Sequence, residues 1–130
     1  MRTLASLLIL LLLVVTAGCD SDDSEGPDAE SLTGTYALVR YGGSTLPSGG
    51  VTSGELRLMI SETIPVYEAR WTQNGGTELR SGLYTVSGNT IEFTETSGSA
   101  LLTYTGVVNS NRITVDLNDG TSITFVFERT

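Results

Sequence analysis

The 130-residue chain has no histidine and no lysine, and its seven basic residues are all arginines. It therefore lacks the side chain that most often transfers protons near neutral pH, and it lacks an amine nucleophile. It has one cysteine, Cys19, so no disulfide can form within the chain. These absences argue against an enzyme, and we expect neither a cofactor nor a metal centre.

The charge balance is acidic. Fifteen acidic residues against seven basic ones give a net charge of −8. A protein that binds nucleic acid needs a basic surface, and electrostatic docking on anionic lipid needs basic residues as well. The charge therefore argues against both kinds of partner.

Two groups of acidic residues have the composition of functional sites. Glu92 and Glu95 are a carboxylate pair of the kind used in glycoside hydrolysis, but Glu92 alternates with the apolar Phe93 and is predicted to face solvent. The segment 116–120 (Asp-Leu-Asn-Asp-Gly) lacks the ligand spacing of a calcium loop. We interpret this segment as the end of a strand followed by a tight turn.

The first 18 residues have the order of an export signal. Arg2 supplies a positive charge, an apolar run from Leu4 to Val15 is interrupted only by Ser6, and small residues precede Cys19. The alternative is a membrane-spanning helix, which needs about 20 apolar residues. The run is too short for that, because Asp20 and further acidic residues follow it.

The junction Thr16-Ala17-Gly18-Cys19 resembles the lipobox of bacterial lipoproteins, with Thr16 where that family most often has leucine. The resemblance implies that residues 1–18 are removed and that Cys19 carries a diacylglyceryl thioether, usually with a further acyl chain on its amine. Several acyl chains anchor a protein firmly, since each buried methylene contributes about 0.8 kcal/mol. A membrane is therefore an expected partner.

Residues 19–30 are predicted to be an acidic tether, because acidic residues without basic ones extend a chain by repulsion. Acidic residues after the cysteine are similar to the surface-export signals of some Bacteroidota lipoproteins. Aspartate directly after the cysteine is also similar to an inner-membrane retention signal of proteobacteria. We expect a location in the bacterial cell envelope, at the outer membrane or cell surface rather than the inner membrane.

From residue 31 to residue 130 the sequence alternates between apolar and polar residues in short runs. Ile113 and Val115 alternate with Thr114 and Asp116, for example, which is typical of a strand with one buried face. No segment keeps the 3.6-residue period of a helix. The pattern predicts strands at about 35–41, 55–61, 65–72, 77–86, 90–95, 100–108, 112–117 and 121–128.

Turn residues separate most of these strands. Asn74-Gly75-Gly76, Ser87-Gly88-Asn89 and Asn109-Ser110-Asn111 supply the positive φ angles of tight hairpins. Hairpins in series form an antiparallel meander, and closure removes the edges of a sheet that no helix covers. We therefore predict an all-β fold, a small up-and-down meander of about eight strands that forms a closed or nearly closed barrel.

The sequence resembles lipocalin-like domains of bacterial lipoproteins. Gly34-Thr35-Tyr36 and the loop 41–47 (Tyr-Gly-Gly-Ser-Thr-Leu-Pro) are similar to the first strand and loop of these domains, and 82–91 and 104–108 are similar to their later hairpins. The likeness covers Leu32 to Arg129, with Tyr36 where the family often has tryptophan. It implies a lipocalin-like β-barrel at 31–130 that binds small, mostly apolar molecules.

Tyr36 and Arg129 are predicted to plug one end of the barrel. In an even-stranded meander the first strand begins and the last strand ends at the same end, and both residues are in phase with inward side chains. A cation–π contact between them is therefore expected, similar to the Trp–Arg pair of lipocalins. The alternative is that Arg129, next to the last residue, is frayed and solvated.

Arg40, Tyr67 and Trp71 are the predicted ligand-binding residues at the other end. Arg40 continues the inward alternation of the first strand, where it is placed to bind a ligand carboxylate or else to extend over the rim into solvent. Tyr67 and Trp71 face inward from one strand, with Trp71 near the opening. The resemblance implies that the loop 42–53 covers this opening as a lid.

The fourth predicted strand allows two interpretations. If the alternation continues unbroken from Tyr84, then Glu78 and Arg80 both face inward as an ion pair. A bulge at Ser81-Gly82 would instead bury Leu79. We favour the bulge, because glycine within a strand often marks one.

Two functions fit these features. The first is a membrane-anchored lipoprotein whose barrel binds a small apolar or amphipathic molecule. The second is a structural or protein-interaction lipoprotein whose barrel is filled by side chains and has no ligand cavity. An eight-stranded barrel can be of either kind, so the volume of the interior cavity bears directly on the choice.

Overall fold

The computed structural model describes residues 26–98, 102–117 and 123–130. The strands in chain order are β1 (Gly34–Tyr41), β2 (Ser44–Thr45), β3 (Val51–Ser61), β4 (Ile64–Gln73), β5 (Gly76–Ser87), β6 (Thr90–Glu95), β7 (Leu102–Asn109), β8 (Arg112–Leu117) and β9 (Ile123–Arg129). Within these ranges no helix has the length and hydropathy needed to cross a bilayer. The predicted signal peptide, Cys19 and the first part of the predicted tether lie outside the described residues.

The strands form one antiparallel sheet that closes on itself. From β3 to β9 each strand pairs with the next one in the chain, and β1 pairs with both β3 and β9. β2 pairs only with the end of β1. The molecule is therefore an eight-stranded barrel of β1 and β3 to β9, with β2 as an extra strand. Closure satisfies the backbone groups that an open sheet would leave at its edges, and the predicted fold class is confirmed.

The connection between β1 and β3 differs from the predicted lid. β2 folds back on β1 as a short hairpin, and β3 begins at Val51 rather than near residue 55. Val51 is fully buried, and its backbone exchanges hydrogen bonds with that of Ser48. Strand pairing and burial therefore fix much of the segment 42–53 against the barrel.

Alternate side chains of the strands face the interior of the barrel. The phenyl ring of Phe93, for example, packs against Tyr67 with ring centroids 4.9 Å apart and planes at 73°. Among the described residues this core is apolar and aromatic apart from one buried carboxylate, Glu95. The buried core side chains on the barrel strands are Tyr36, Leu38, Val51, Leu56, Leu58, Tyr67, Trp71, Tyr84, Ile91, Phe93, Tyr104, Val108, Ile113, Val115, Phe125 and Phe127.

The segment 26–33 covers one end of the barrel, termed here the closed end. Leu32 is buried there, and its carbonyl oxygen accepts a hydrogen bond of 2.9 Å from the Tyr36 hydroxyl. The Tyr84 hydroxyl donates to the carbonyl oxygen of Ala29, also at 2.9 Å. Burial raises the pKa of Tyr84 to about 12, so this hydroxyl keeps the proton that it donates. Two buried tyrosines thus hold the entering chain against the barrel.

Candidate functional site

The opposite end of the barrel, termed here the mouth, has a depression of about 230 Å³. It forms where β1, β4 and β8 end and where β5 and β9 begin. At its floor Phe125 contacts Tyr41 and Trp71 edge-on, with centroids 5.1 and 5.2 Å apart. Leu117 and Ile123 add aliphatic surface. Polar side chains, Arg80 among them, line the rest of the depression. The mouth therefore offers a concave surface that combines polar groups with an aromatic base.

A second, smaller cavity of about 40 Å³ lies deeper in the barrel. Tyr67 and Trp71, both predicted ligand-binding residues, line it, and it shares Trp71, Leu117 and Phe125 with the depression. A cavity of roughly 10–15 Å³ holds one water molecule, and one of about 150 Å³ binds benzene. The inner cavity is therefore large enough for one small group and too small for an alkyl chain.

Arg40 does not belong to this site. The pairing of β1 with β9 shifts by one residue at Val39, which is a β-bulge. Beyond the bulge Arg40 stands opposite Val126 on the outer face and is exposed, and Tyr41 takes the inward position. The predicted inward direction of Arg40 is therefore wrong, and the residue cannot bind a ligand inside the barrel.

Among the described residues at the mouth, the basic side chain that faces the interior is Arg80. β5 pairs with β4 in continuous register, with Arg80 opposite Ala69, so the bulge predicted at Ser81-Gly82 is absent and that prediction is wrong. Leu79, which the bulge would have buried, is 54% exposed. The unbroken alternation is the correct interpretation.

Arg80 pairs inside the barrel with Glu95 rather than with Glu78. Its Nη1 donates to Glu95 Oε2 at 3.1 Å and also to the Tyr104 hydroxyl. The Tyr104 hydroxyl in turn donates to Glu95 Oε2 at 2.9 Å. The guanidinium carbon lies 5.7 Å from the centroid of the Trp71 ring. Arg80, Glu95 and Tyr104, termed here the interior triad, thus form a closed hydrogen-bonded set beside the inner cavity.

Glu95 and Tyr104 are the members of this site that the sequence interpretation missed. The signal exists, because Glu95 continues the inward alternation of Ile91 and Phe93 and is only 7% exposed. Gly82 explains why β5 stays regular beside it. A Cβ atom at Gly82 would lie 1.9 Å from the carbonyl oxygen of Thr94. Glycine therefore allows the backbone of β6 to approach that of β5 closely. Glycine in a strand can mark such a close approach as well as a bulge.

The electrostatics of the interior keep the two tyrosines protonated and Arg80 charged. Burial, followed by the neighbouring Glu95 carboxylate, raises the pKa of Tyr67. Burial and the hydrogen bond to Glu95 raise the pKa of Tyr104. Burial disfavours the Arg80 cation, but Tyr104 and the Glu95 carboxylate offset this through their proximity and their hydrogen bonds and raise its pKa. The triad is therefore internally neutralised.

The Tyr67 hydroxyl is the exception to this pairing. It is buried, and within the described ranges it is the one buried side-chain polar atom without a hydrogen-bond partner. Buried hydroxyls are usually paired. The Tyr67 oxygen has no accessible surface, so the ring of Tyr67, and not its hydroxyl, lines the inner cavity.

At the closed end the structure brings Tyr36 and Arg129 together. The guanidinium carbon of Arg129 lies 5.3 Å from the centroid of the Tyr36 ring. Arg129 Nη2 also donates to the carbonyl oxygens of Ser31 and Thr33, at 2.9 and 2.7 Å. These contacts do not fit the alternative of a frayed side chain. They tie the segment 26–33 to β9, and this end therefore has a structural role.

The described ranges contain no group of three or more histidine, cysteine, aspartate or glutamate side chains able to hold a metal ion. Comparison of the chain with protein-family models, with curated proteins and with solved structures finds no match. Function is therefore inferred from the geometry of the barrel.

Proposed function

We propose that the protein is a lipid-anchored lipoprotein of the bacterial cell envelope whose barrel binds a small, uncharged amphipathic molecule at its mouth. The observation that carries the proposal is the depression of about 230 Å³ over an aromatic base, which shares part of its wall with the apolar inner cavity. Binding sites for small molecules are concave and combine apolar surface with a few polar groups that fix orientation. The architecture is compatible with a lipocalin-like domain.

The volumes limit how the molecule binds. The inner cavity of about 40 Å³ accepts one small group, so the larger part of the ligand lies in the depression above it. Trp71 and Phe125 then contact its apolar part. A long acyl chain enclosed by the barrel does not fit this geometry.

The charged side chains at the mouth limit which head group the ligand can carry. The basic side chain of the mouth, Arg80, already pairs with Glu95 and Tyr104. An anionic ligand that took Arg80 would leave the buried Glu95 carboxylate without its cation, which is strongly unfavourable. Glu78, exposed at the rim, adds repulsion. We therefore expect an alcohol, ketone or ether to bind better than the matching acid.

Fluorescence of Trp71, the one tryptophan of the chain, tests the binding proposal. In Cys19→Ala protein, hexanol should change the emission saturably, and hexanoate should need at least about tenfold higher concentration, which corresponds to about 1.4 kcal/mol. Leu117→Ala should weaken binding because Leu117 lines both spaces. Leu83→Ala is the control, because Leu83 is exposed on the outer face of β5. A tighter response to hexanoate would contradict the head-group assignment.

A second candidate function is favoured by the small inner cavity. A barrel so nearly filled by side chains can instead act as a structural or protein-interaction module through its outer face and loops. The same titration separates the two. If neither hexanol nor any other apolar probe changes Trp71 emission saturably, the interaction module becomes the better proposal.

The lipid anchor has its own test. Cys19→Ala should move the protein from the detergent phase to the aqueous phase on phase partitioning, because the thioether-linked acyl chains are then absent. Ser21→Ala, two residues further on, is the matched control and should stay in the detergent phase. Detergent-phase partitioning of Cys19→Ala would end the lipoprotein proposal and leave the binding proposal standing.

A further inference from the structure

The hairpin of β3 and β4 has an exposed apolar tip at the closed end. Ile60 is 39% exposed and Ile64 is 51% exposed. They flank the turn at Glu62 and Thr63, both of which have positive φ angles. The pairs Ile60–Pro65 and Ser61–Ile64 are the last pairs of the hairpin before its turn.

This tip extends past its neighbours in the barrel. β1 pairs with β3 only as far as Gly34 opposite Leu58. On the other side, β5 pairs with β4 only from Leu83 opposite Val66. Among the described strands, residues 59–65 therefore pair only with each other. The exposure of Ile60 and Ile64 follows from this, because neither β1 nor β5 pairs alongside them.

The described chain enters the barrel at the same end. Gly26 packs against the backbone of Gly88 in the turn between β5 and β6, a turn of the closed end. Arg129, Tyr36 and Tyr84 then fix the following residues. Cys19 precedes Gly26 by seven residues, which span at most about 25 Å when fully extended. If Cys19 carries the anchor, the closed end is held within that distance of the bilayer.

We infer that the tip of the β3–β4 hairpin contacts the lipid bilayer, so that the closed end faces the membrane and the mouth faces water. The inference rests on the proposed lipid anchor. The lipid surface that fits is a zwitterionic one, because the turn carries an acidic residue, Glu62, and the whole chain is acidic. Ile60 and Ile64 lie in the interfacial region, and Glu62 stays among the head groups.

This orientation has a consequence for ligand exchange. The depression at the mouth lies at the opposite end of the barrel from the anchor. A molecule would therefore reach it from the aqueous side and not directly from the membrane that holds the protein. That direction agrees with a small amphiphile that has appreciable solubility in water.

Site-specific fluorescence on the lipidated protein tests the inference, since lipidation of Cys19 leaves an introduced cysteine as the free thiol. Two matched pairs of positions are available. Ile64 (51% exposed) is compared with Leu79 (54%), and Ile60 (39%) is compared with Leu102 (39%). Leu79 and Leu102 lie near the mouth end of β5 and at the start of β7. Each residue is replaced by cysteine and labelled with an environment-sensitive dye, and the protein is reconstituted on phosphatidylcholine vesicles that carry a head-group quencher.

The labels at 60 and 64 should shift to shorter wavelength and lose most of their emission, whereas those at 79 and 102 should do neither. Equal behaviour at the two ends, in protein that floats with the vesicles, would overturn the orientation alone. Protein that does not float with the vesicles would overturn the anchor and this inference with it. In that case the titration of Trp71 in Cys19→Ala protein still tests ligand binding independently.

Discussion

Phe125→Ala should lower the free energy of unfolding by about 3–5 kcal/mol, the range for removing a buried phenylalanine side chain. Phe125 is 3% exposed. Its ring contacts those of Tyr41 and Trp71 edge-on and lies stacked 6.1 Å from that of Phe127. The ring is therefore a shared support of three strands at the base of the mouth. Urea denaturation followed by circular dichroism measures the effect.

Thr124→Ala is the matched control on the opposite face of the same strand. Thr124 makes a hydrogen bond of 2.9 Å to Asp116 on the barrel surface, and removing a surface group of this kind costs about 0.5 kcal/mol or less. Comparison of the two losses of unfolding free energy tests whether Phe125 faces the core and Thr124 faces solvent. Comparable destabilisation by both substitutions would mean that Phe125 does not face the core.

The barrel itself could be predicted from the sequence because its determinants are local. Ile113 and Val115 are buried and Thr114 is half-buried, as their alternation predicts. The turns are local as well, since Asn74 and Ser110 adopt the positive φ angles that tight hairpins require. Alternation and turn residues together fix which residues pair, and closure follows when no helix covers the sheet.

The site was harder to predict because it depends on contacts between strands that are distant in the sequence. The bulge at Val39 turns Arg40 outward, and it is visible only in the register of β1 against β9. Conversely, Gly82 suggests a bulge by itself, but its position against the Thr94 carbonyl oxygen shows a close backbone approach. In both cases the prediction assigned the side chains near one residue to the wrong face of the strand. A shift of the alternation by one residue moves every later side chain to the other face.

The interior ion pair shows the same dependence on tertiary structure. Arg80 and Glu95 lie on neighbouring strands and are 15 residues apart. Neither residue alone indicates a site, since charged residues in strands usually face solvent. The pairing of Gly82 with Glu95 brings the two strands into contact. When both strands direct these side chains into the barrel, the buried charge on one strand needs the opposite charge on the other.

Arg80→Met should destabilise the protein by about 3 kcal/mol, the low end of the range for breaking a buried pair, because Glu95 is buried but the Arg80 side chain is 26% exposed. Glu95 is 7% exposed, and among the described residues the hydroxyl donors Tyr104 and Ser97 remain to it when the guanidinium is absent. Methionine fills much of the space of the arginine stem, so loss of packing is a minor part of the effect. Urea denaturation at neutral pH gives the free energy of unfolding.

Two further variants separate charge from packing in this prediction. Arg112→Met removes the arginine of an exposed pair with Glu128 and should cost less than about 1 kcal/mol, as surface ion pairs do. The double variant Arg80→Met with Glu95→Leu removes both buried charges and should recover most of the lost stability, because an apolar replacement of a buried pair is often neutral or stabilising. If the double variant is as unstable as Arg80→Met or worse, the buried carboxylate is not the source of the instability. If it recovers stability and also binds hexanoate as well as hexanol, the interior triad is what excludes anions from the mouth.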